Sequence, residues 1–172
     1  MFVQESIDTL LEKLEQPQLV YYDFTAGVSI GEALQHPHDD FRFWINSPNK
    51  PLKDLYCFIA ESKYHFLHEP IFEMVANSVR HGNSGSIRNA PNGDPLKSLS
   101  IKVFEGNNGV VVRVRNEGPG FDYQAVLQKI NLGNRHSQNV LGGNGLRMLA
   151  QPYLFISYED KGRAINLLYL WD

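Results

Sequence analysis

The chain has 172 residues, 42% of them hydrophobic and 20% charged, with a formal net charge of −3. That is ordinary globular composition, long enough for one domain with a substantial core, and its charge gives no reason to expect nucleic acid or an anionic membrane as partner. Cys57 is the only cysteine, so no intrachain disulfide can form, as befits a reducing compartment.

Taken in chain order, Ile7, Leu10, Leu11 and Leu14 recur at helical spacing, and the pattern predicts a helix over residues 2 to 15, ended by Gln16-Pro17-Gln18. Leu19 to Phe24 reads as a strand, and residues 27 to 40 carry no clear period. Phe41 to Ile45 reads as a strand before an Asn46-Ser47-Pro48 turn. Pro51 to Phe66 reads as a helix with Leu52, Leu55, Phe58, Ile59 and Tyr64 along one side. Cys57 lies in the apolar run Leu55 to Ile59 and is expected to be a buried, inert thiol.

His68-Glu69-Pro70 opens the next helix, with Pro in its first turn. Along Glu73-Met74-Val75-Ala76-Asn77-Ser78-Val79-Arg80-His81-Gly82-Asn83, the residues Glu73, Asn77, Arg80 and His81 fall within an arc of roughly 100°. Ile71, Phe72, Val75 and Val79 are expected to form the opposite, core-facing stripe. A carboxylate and a carboxamide one turn apart can divide a task, one accepting a proton and the other offering a neutral oxygen to magnesium.

Residues 82 to 97, rich in Gly, Asn, Ser and Pro, read as a loop. Leu99 to Phe104 and Val110 to Val114 then read as a hairpin across Gly106-Asn107-Asn108-Gly109. A first glycine-rich turn follows, Asn116-Glu117-Gly118-Pro119-Gly120-Phe121-Asp122. A second, Gly142-Gly143-Asn144-Gly145, opens a helix at Leu146. Glycines let a backbone approach a ligand closely and adopt positive φ, and free N–H groups at a helix start suit phosphate. The stretch 133 to 139 between the turns is polar and reads as a loop. Tyr153 to Tyr158 and Ala164 to Trp171 close the chain as a hairpin through Asp160-Lys161-Gly162.

These three segments, in this order, resemble the GHKL ATPase superfamily, most closely its anti-sigma-factor serine/threonine kinase branch. Glu73 to Asn83 is similar to the family's N box, Asn116 to Asp122 to its first glycine box, and Gly142 to Leu146 to its second. The resemblance covers residues 40 to 172 and implies an α+β fold. That fold is a two-layer α/β sandwich of the Bergerat type, with a mixed, mostly antiparallel sheet and helices on one face. It implies a histidine kinase-like ATPase domain at 39–172 preceded by an extension at 1–38, which either covers an exposed surface or contacts a partner.

The resemblance also implies ATP and Mg as cofactors. Glu73 would act as general base toward a substrate hydroxyl, and Asn77 would hold Mg. Arg80, Asn116, Gly118, Gly120, Arg135, Gly142, Gly143, Asn144, Gly145 and Leu146 would surround the nucleotide. Arg147, just past the second glycine box, is a further candidate to meet the terminal phosphate. Asn116 departs from the family, which places an Asp there to accept a hydrogen bond from adenine. The implied substrate is a small anti-anti-sigma-like protein, with a sigma factor as a further partner and homodimerisation left open. The competing reading is a catalytically degenerate interaction module with weak or no nucleotide binding.

No run of 18 apolar residues occurs, and Met1 to Ser6 lacks the basic start of a signal peptide, so a cytoplasmic location is expected. His65, His68 and Glu69 do not have zincin spacing. His36 and His38 read as members of a solvated loop.

Overall fold

The computed structural model describes residues 1–25, 50–78, 99–120, 122–125 and 151–171. Within them the chain is an α+β fold with one five-stranded sheet in the order β1-β2-β3-β5-β4. The strands are β1 (Gln18–Thr25), β2 (Leu99–Gly106), β3 (Gly109–Asn116), β4 (Phe155–Glu159) and β5 (Ala164–Leu170), and every neighbouring pair is antiparallel. The helices are α1 (Ile7–Leu11), α2 (Lys50–Glu61) and α3 (His68–Asn77), the last preceded by a 3₁₀ turn at His65–Leu67.

Alternation along the strands sends successive side chains to opposite faces. Val110, Val112 and Val114 of β3 join Ile101 and Val103 of β2 and Leu167 of β5 in the larger core. Over this face lie Leu55 and Ile59 of α2 and Ile71, Met74 and Val75 of α3, each no more than 6% exposed. Burying such a side chain stabilises the fold by about 1.5–3 kcal/mol. Met74, fully buried, takes the place in the core stripe that the period assigns to Phe72, which is only partly buried; Val79 lies outside the described residues.

The second face of the sheet is also covered. Val111, Phe104, Phe155 and Leu168 pack beneath Leu10 and Leu14, so helices lie on both faces rather than on one. The N-terminal segment runs across this face from one edge to the other. Phe2 forms a parallel bridge to Ile156 of β4, with Ile156 N–H donating to Met1 O at 2.8 Å and Val3 N–H donating to Ile156 O at 2.8 Å. Ser6 then caps α1, accepting from Thr9 N–H at 3.2 Å.

The segment's far end is held by the β2–β3 turn. Asn108 accepts from Glu15 N–H at 2.7 Å and donates to Lys13 O at 3.0 Å. A side chain on Gly106 would place its Cβ 2.8 Å from Glu15 O and 2.9 Å from Leu14 Cβ, so this crossing requires glycine there. Strand β1 then pairs with β2, with a bulge between Leu19 and Tyr21.

The helix expected over residues 2 to 15 is therefore confined to Ile7–Leu11, because the backbone of residues 1 to 3 hydrogen-bonds to β4 instead. Residues 1 to 25 share the sheet and its packing, while the boundary expected at residues 38 and 39 lies outside the described residues. So do the expected strand at 41–45, the loop at 82–97 and the polar stretch at 133–139.

Cys57 is exposed, contrary to its expected burial. Leu55 and Ile59 turn inward on α2, and a residue two positions from either points away at about 200°. A short apolar run covers every side of a helix, so burial could not be read from the run alone.

Candidate functional site

Helix α3 starts at His68 with Glu69 in its first turn, where a negative charge complements the helix dipole. Its end is held by Ser78 N–H, which donates to the carbonyls of Met74 and Val75. With Ile71, Met74, Val75 and Ser78 turned into the core, Glu73 and Asn77 are left half-buried, about 40° apart around the axis and one turn apart along it. They are the carboxylate and carboxamide expected to share a task, and the helix presents them together.

Strand β3 ends in Asn116. Its alternation carries Val110, Val112 and Val114 to the α3 face, and Asn116 follows on that face, 3% exposed. Asn116 N–H donates to Arg163 O at 2.9 Å, extending the β3–β5 pairing by one bond. The side-chain oxygen accepts from Gly118 N–H at 3.0 Å, closing an Asx turn that starts the glycine segment. A backbone N–H can only donate, so this contact fixes the amide orientation: Oδ1 faces Gly118, and the side chain's other arm is the Nδ2 donor. Glu117, next in sequence, is exposed.

Gly120 has φ +79°, and a Cβ there would sit 2.1 Å from Lys161 O. The requirement for glycine at this position comes from the protein's own backbone: the turn joining β4 to β5 presses against it. That turn has its own left-handed residues, Asp160 at φ 52° and Lys161 at φ 56°, a conformation that costs a non-glycine residue about 1–2 kcal/mol. Arg115 pairs with Asp160 at 3.0 Å, and Arg163 pairs with the same carboxylate. Asp122 accepts from Ala125 N–H at 3.0 Å and so caps the helical turn that begins at Tyr123.

Glu73, Asn77, Asn116, Gly118 and Gly120 are thus described, and α3 and Asn116 belong to one face of the sheet. Arg80, Arg135, Arg147, Gly142, Gly143, Asn144, Gly145 and Leu146 lie outside the described residues. Among the described residues no group of three or more His, Cys, Asp or Glu side chains is placed to hold a metal. His68 Nδ1 meets His65 O at 2.8 Å, a local turn contact.

One polar cluster escaped the sequence reading. On the second face, Arg113 hydrogen-bonds to Glu159 and, at 3.2 Å, to Asn166. Asn166 donates from Nδ2 to Ser157 at 3.0 Å and to Glu159 at 2.9 Å, and Ser157 and Asn166 are fully buried. The Glu159 carboxylate also lies close to the backbone of Ile7 at the start of α1. Burial alone would raise its pKa, but Asn166, the nearby Ile7 backbone and Arg113 together outweigh burial and hold the carboxyl below its ordinary range. The available signal was a polar residue inside an otherwise apolar run, Arg113 within Val110 to Val114 of β3 and Asn166 within Ala164 to Leu168 of β5.

Among the described residues no helix is long and apolar enough to cross a membrane. Neither a scan against protein-family models nor a search of curated proteins finds a match to this chain.

Proposed function

We propose that this chain is a Bergerat-type ATP-binding domain of the GHKL superfamily, acting as a serine/threonine kinase of the anti-sigma-factor kind. On this reading it transfers a phosphoryl group from ATP to a small anti-anti-sigma-like protein in the cytoplasm. A sigma factor would be a further partner, and a homodimer the assembly. The observation that carries the reading is the half-buried pair Glu73 and Asn77, one turn apart on a helix packed over the same sheet face as Asn116.

Phosphoryl transfer needs positioning and charge neutralisation more than covalent chemistry, so a small set of side chains can suffice. Glu73 accepts the proton of the substrate hydroxyl. Asn77 offers a neutral oxygen, a donor type that suits a hard cation such as Mg. Gly142 to Leu146 would offer backbone N–H groups to the phosphates, and Arg80, Arg135 and Arg147 would compensate phosphate charge. Asn116 would meet the base, with Gly118 and Gly120 shaping the turn beside it. Bound Mg·ATP would supply the phosphoryl group and the metal charge that balances its oxygens.

Asn116 favours a second reading, that of a degenerate interaction module. Its oxygen already accepts from Gly118 N–H, which leaves one neutral lone pair, and its other arm is a donor, whereas the amino group of adenine calls for an acceptor. Calorimetric titration with Mg·ATP, Mg·ADP and Mg·GTP separates the two. Saturable binding of ATP supports the kinase reading; no heat from any nucleotide at millimolar concentration selects the module.

A further inference from the structure

The ring of Tyr158 lies between two others. Phe2 stacks on it with centroids 6.4 Å apart and planes at 14°, and Tyr123 stacks on it at 5.3 Å and 24°. Tyr158 is 8% exposed, and all three rings belong to the larger core or its margin. Tyr123 comes directly after Asp122, in the helical turn that Asp122 caps, three residues beyond Gly120. Phe2 is held against β4 by the two backbone hydrogen bonds to Ile156. The N-terminal segment and the first glycine turn therefore meet across a single side chain.

A second link runs on the other face. The Glu159 carboxylate lies close to the backbone of Ile7 at the start of α1. The chain passes directly from Glu159 into Asp160 and Lys161, and the Lys161 carbonyl is the group that Gly120 abuts. One end of the N-terminal crossing is thus tied to both supports of the glycine turn, the aromatic one and the backbone one.

We propose that residues 1 to 7 are a positioning element for the glycine turn 116–120, with Phe2 and Tyr158 as the positioning residues through which it acts. Displacement of the segment from β4 loosens the turn without unfolding the sheet, because the β2–β3 and β3–β5 pairings do not depend on it. The segment is thereby a point of control: whatever competes for the β4 edge at Ile156 changes the geometry that Asn116 and Gly118 present. The functional half of this inference rests on the kinase reading; the mechanical half does not.

The experiment is amide hydrogen exchange on the full chain, comparing the native sequence with Phe2→Ala and Phe2→Tyr. Aromatic stacking energies correspond to a roughly two- to tenfold faster exchange over residues 118–125 in Phe2→Ala. The turn at residues 106–109, at the other end of the sheet, should keep its native rate. Phe2→Tyr, which restores a ring, should restore protection. Unchanged exchange at 118–125 in Phe2→Ala, or an equal rise at 106–109, overturns the inference. Where Mg·ATP binds, its Kd should rise by a similar factor in Phe2→Ala and recover in Phe2→Tyr. An unchanged Kd despite faster exchange overturns the functional half. Absence of nucleotide binding in the native chain removes the kinase reading and that half with it, while exchange still decides the mechanical half.

Discussion

The side-chain oxygen of Asn116 lies 3.0 Å from the backbone nitrogen of Gly118, and this one contact decides what the end of β3 can offer a ligand. An aspartate could keep the same bond with one oxygen and present the second as a charged acceptor. Asparagine keeps the bond, and its second arm is a neutral donor.

Asn116→Asp should therefore tighten Mg·ATP. The difference between a charged and a neutral hydrogen bond is about 1 kcal/mol, which corresponds to roughly a five- to tenfold lower Kd. Calorimetry on both proteins measures it, and no gain in affinity would show that position 116 does not meet the base.

Glu73→Ala should abolish phosphoryl transfer while leaving nucleotide affinity nearly unchanged, since a general base is needed in the transition state and not for binding. Transfer is followed with labelled ATP and a candidate substrate, and affinity by titration. Equal losses in both would assign Glu73 to binding instead.

Gly120→Ala should destabilise the fold by about 2 kcal/mol or more. The new Cβ combines left-handed backbone strain with an overlap on Lys161 O at 2.1 Å. A lower urea midpoint with an unchanged slope is the expected result. A midpoint equal to the native one would mean that the β4–β5 turn moves aside freely.

Stability should fall in acid partly through Glu159. Its carboxyl is held below the ordinary range in the fold, so the unfolded chain takes up the proton first. The contribution is complete above the unfolded value of about 4.3 and is lost as pH falls through the lower folded value. Glu159→Gln should flatten this part of the pH–stability curve and lower stability at neutral pH, because Arg113 loses its carboxylate partner. Denaturant midpoints across pH 2 to 7, about the range in which carboxyl groups titrate, test both.

Cys57, exposed on α2, should react with a thiol reagent in the folded protein at one equivalent per chain. Reaction only after denaturation would contradict its exposed position.

Both hairpins could be read from the chain because their signals are local. Val110 to Val114 has the apolar, β-branched character of a buried strand, Asn107-Asn108 is flanked by glycines, and Asp160-Lys161-Gly162 marks the second turn. The pairing of Glu73 with Asn77 was legible for the same reason, since a four-residue spacing on a helix sets their proximity whatever surrounds them.

What the chain by itself determined was its periodicity: two hairpins, two core-facing helices and a carboxylate and carboxamide on one side of a helix. Only the tertiary structure decided which faces are covered. It drew residues 1 to 3 onto β4, laid α1 over the second face, left Cys57 in solvent, and pressed Gly120 against the backbone of Lys161. It also gathered Arg113, Ser157, Glu159 and Asn166 into one network from three strands. The division has a physical cause. Local periodicity depends on residues a few positions apart, whereas burial and hydrogen-bond partnership depend on residues brought together from distant parts of the chain, as Ile7 and Glu159 are.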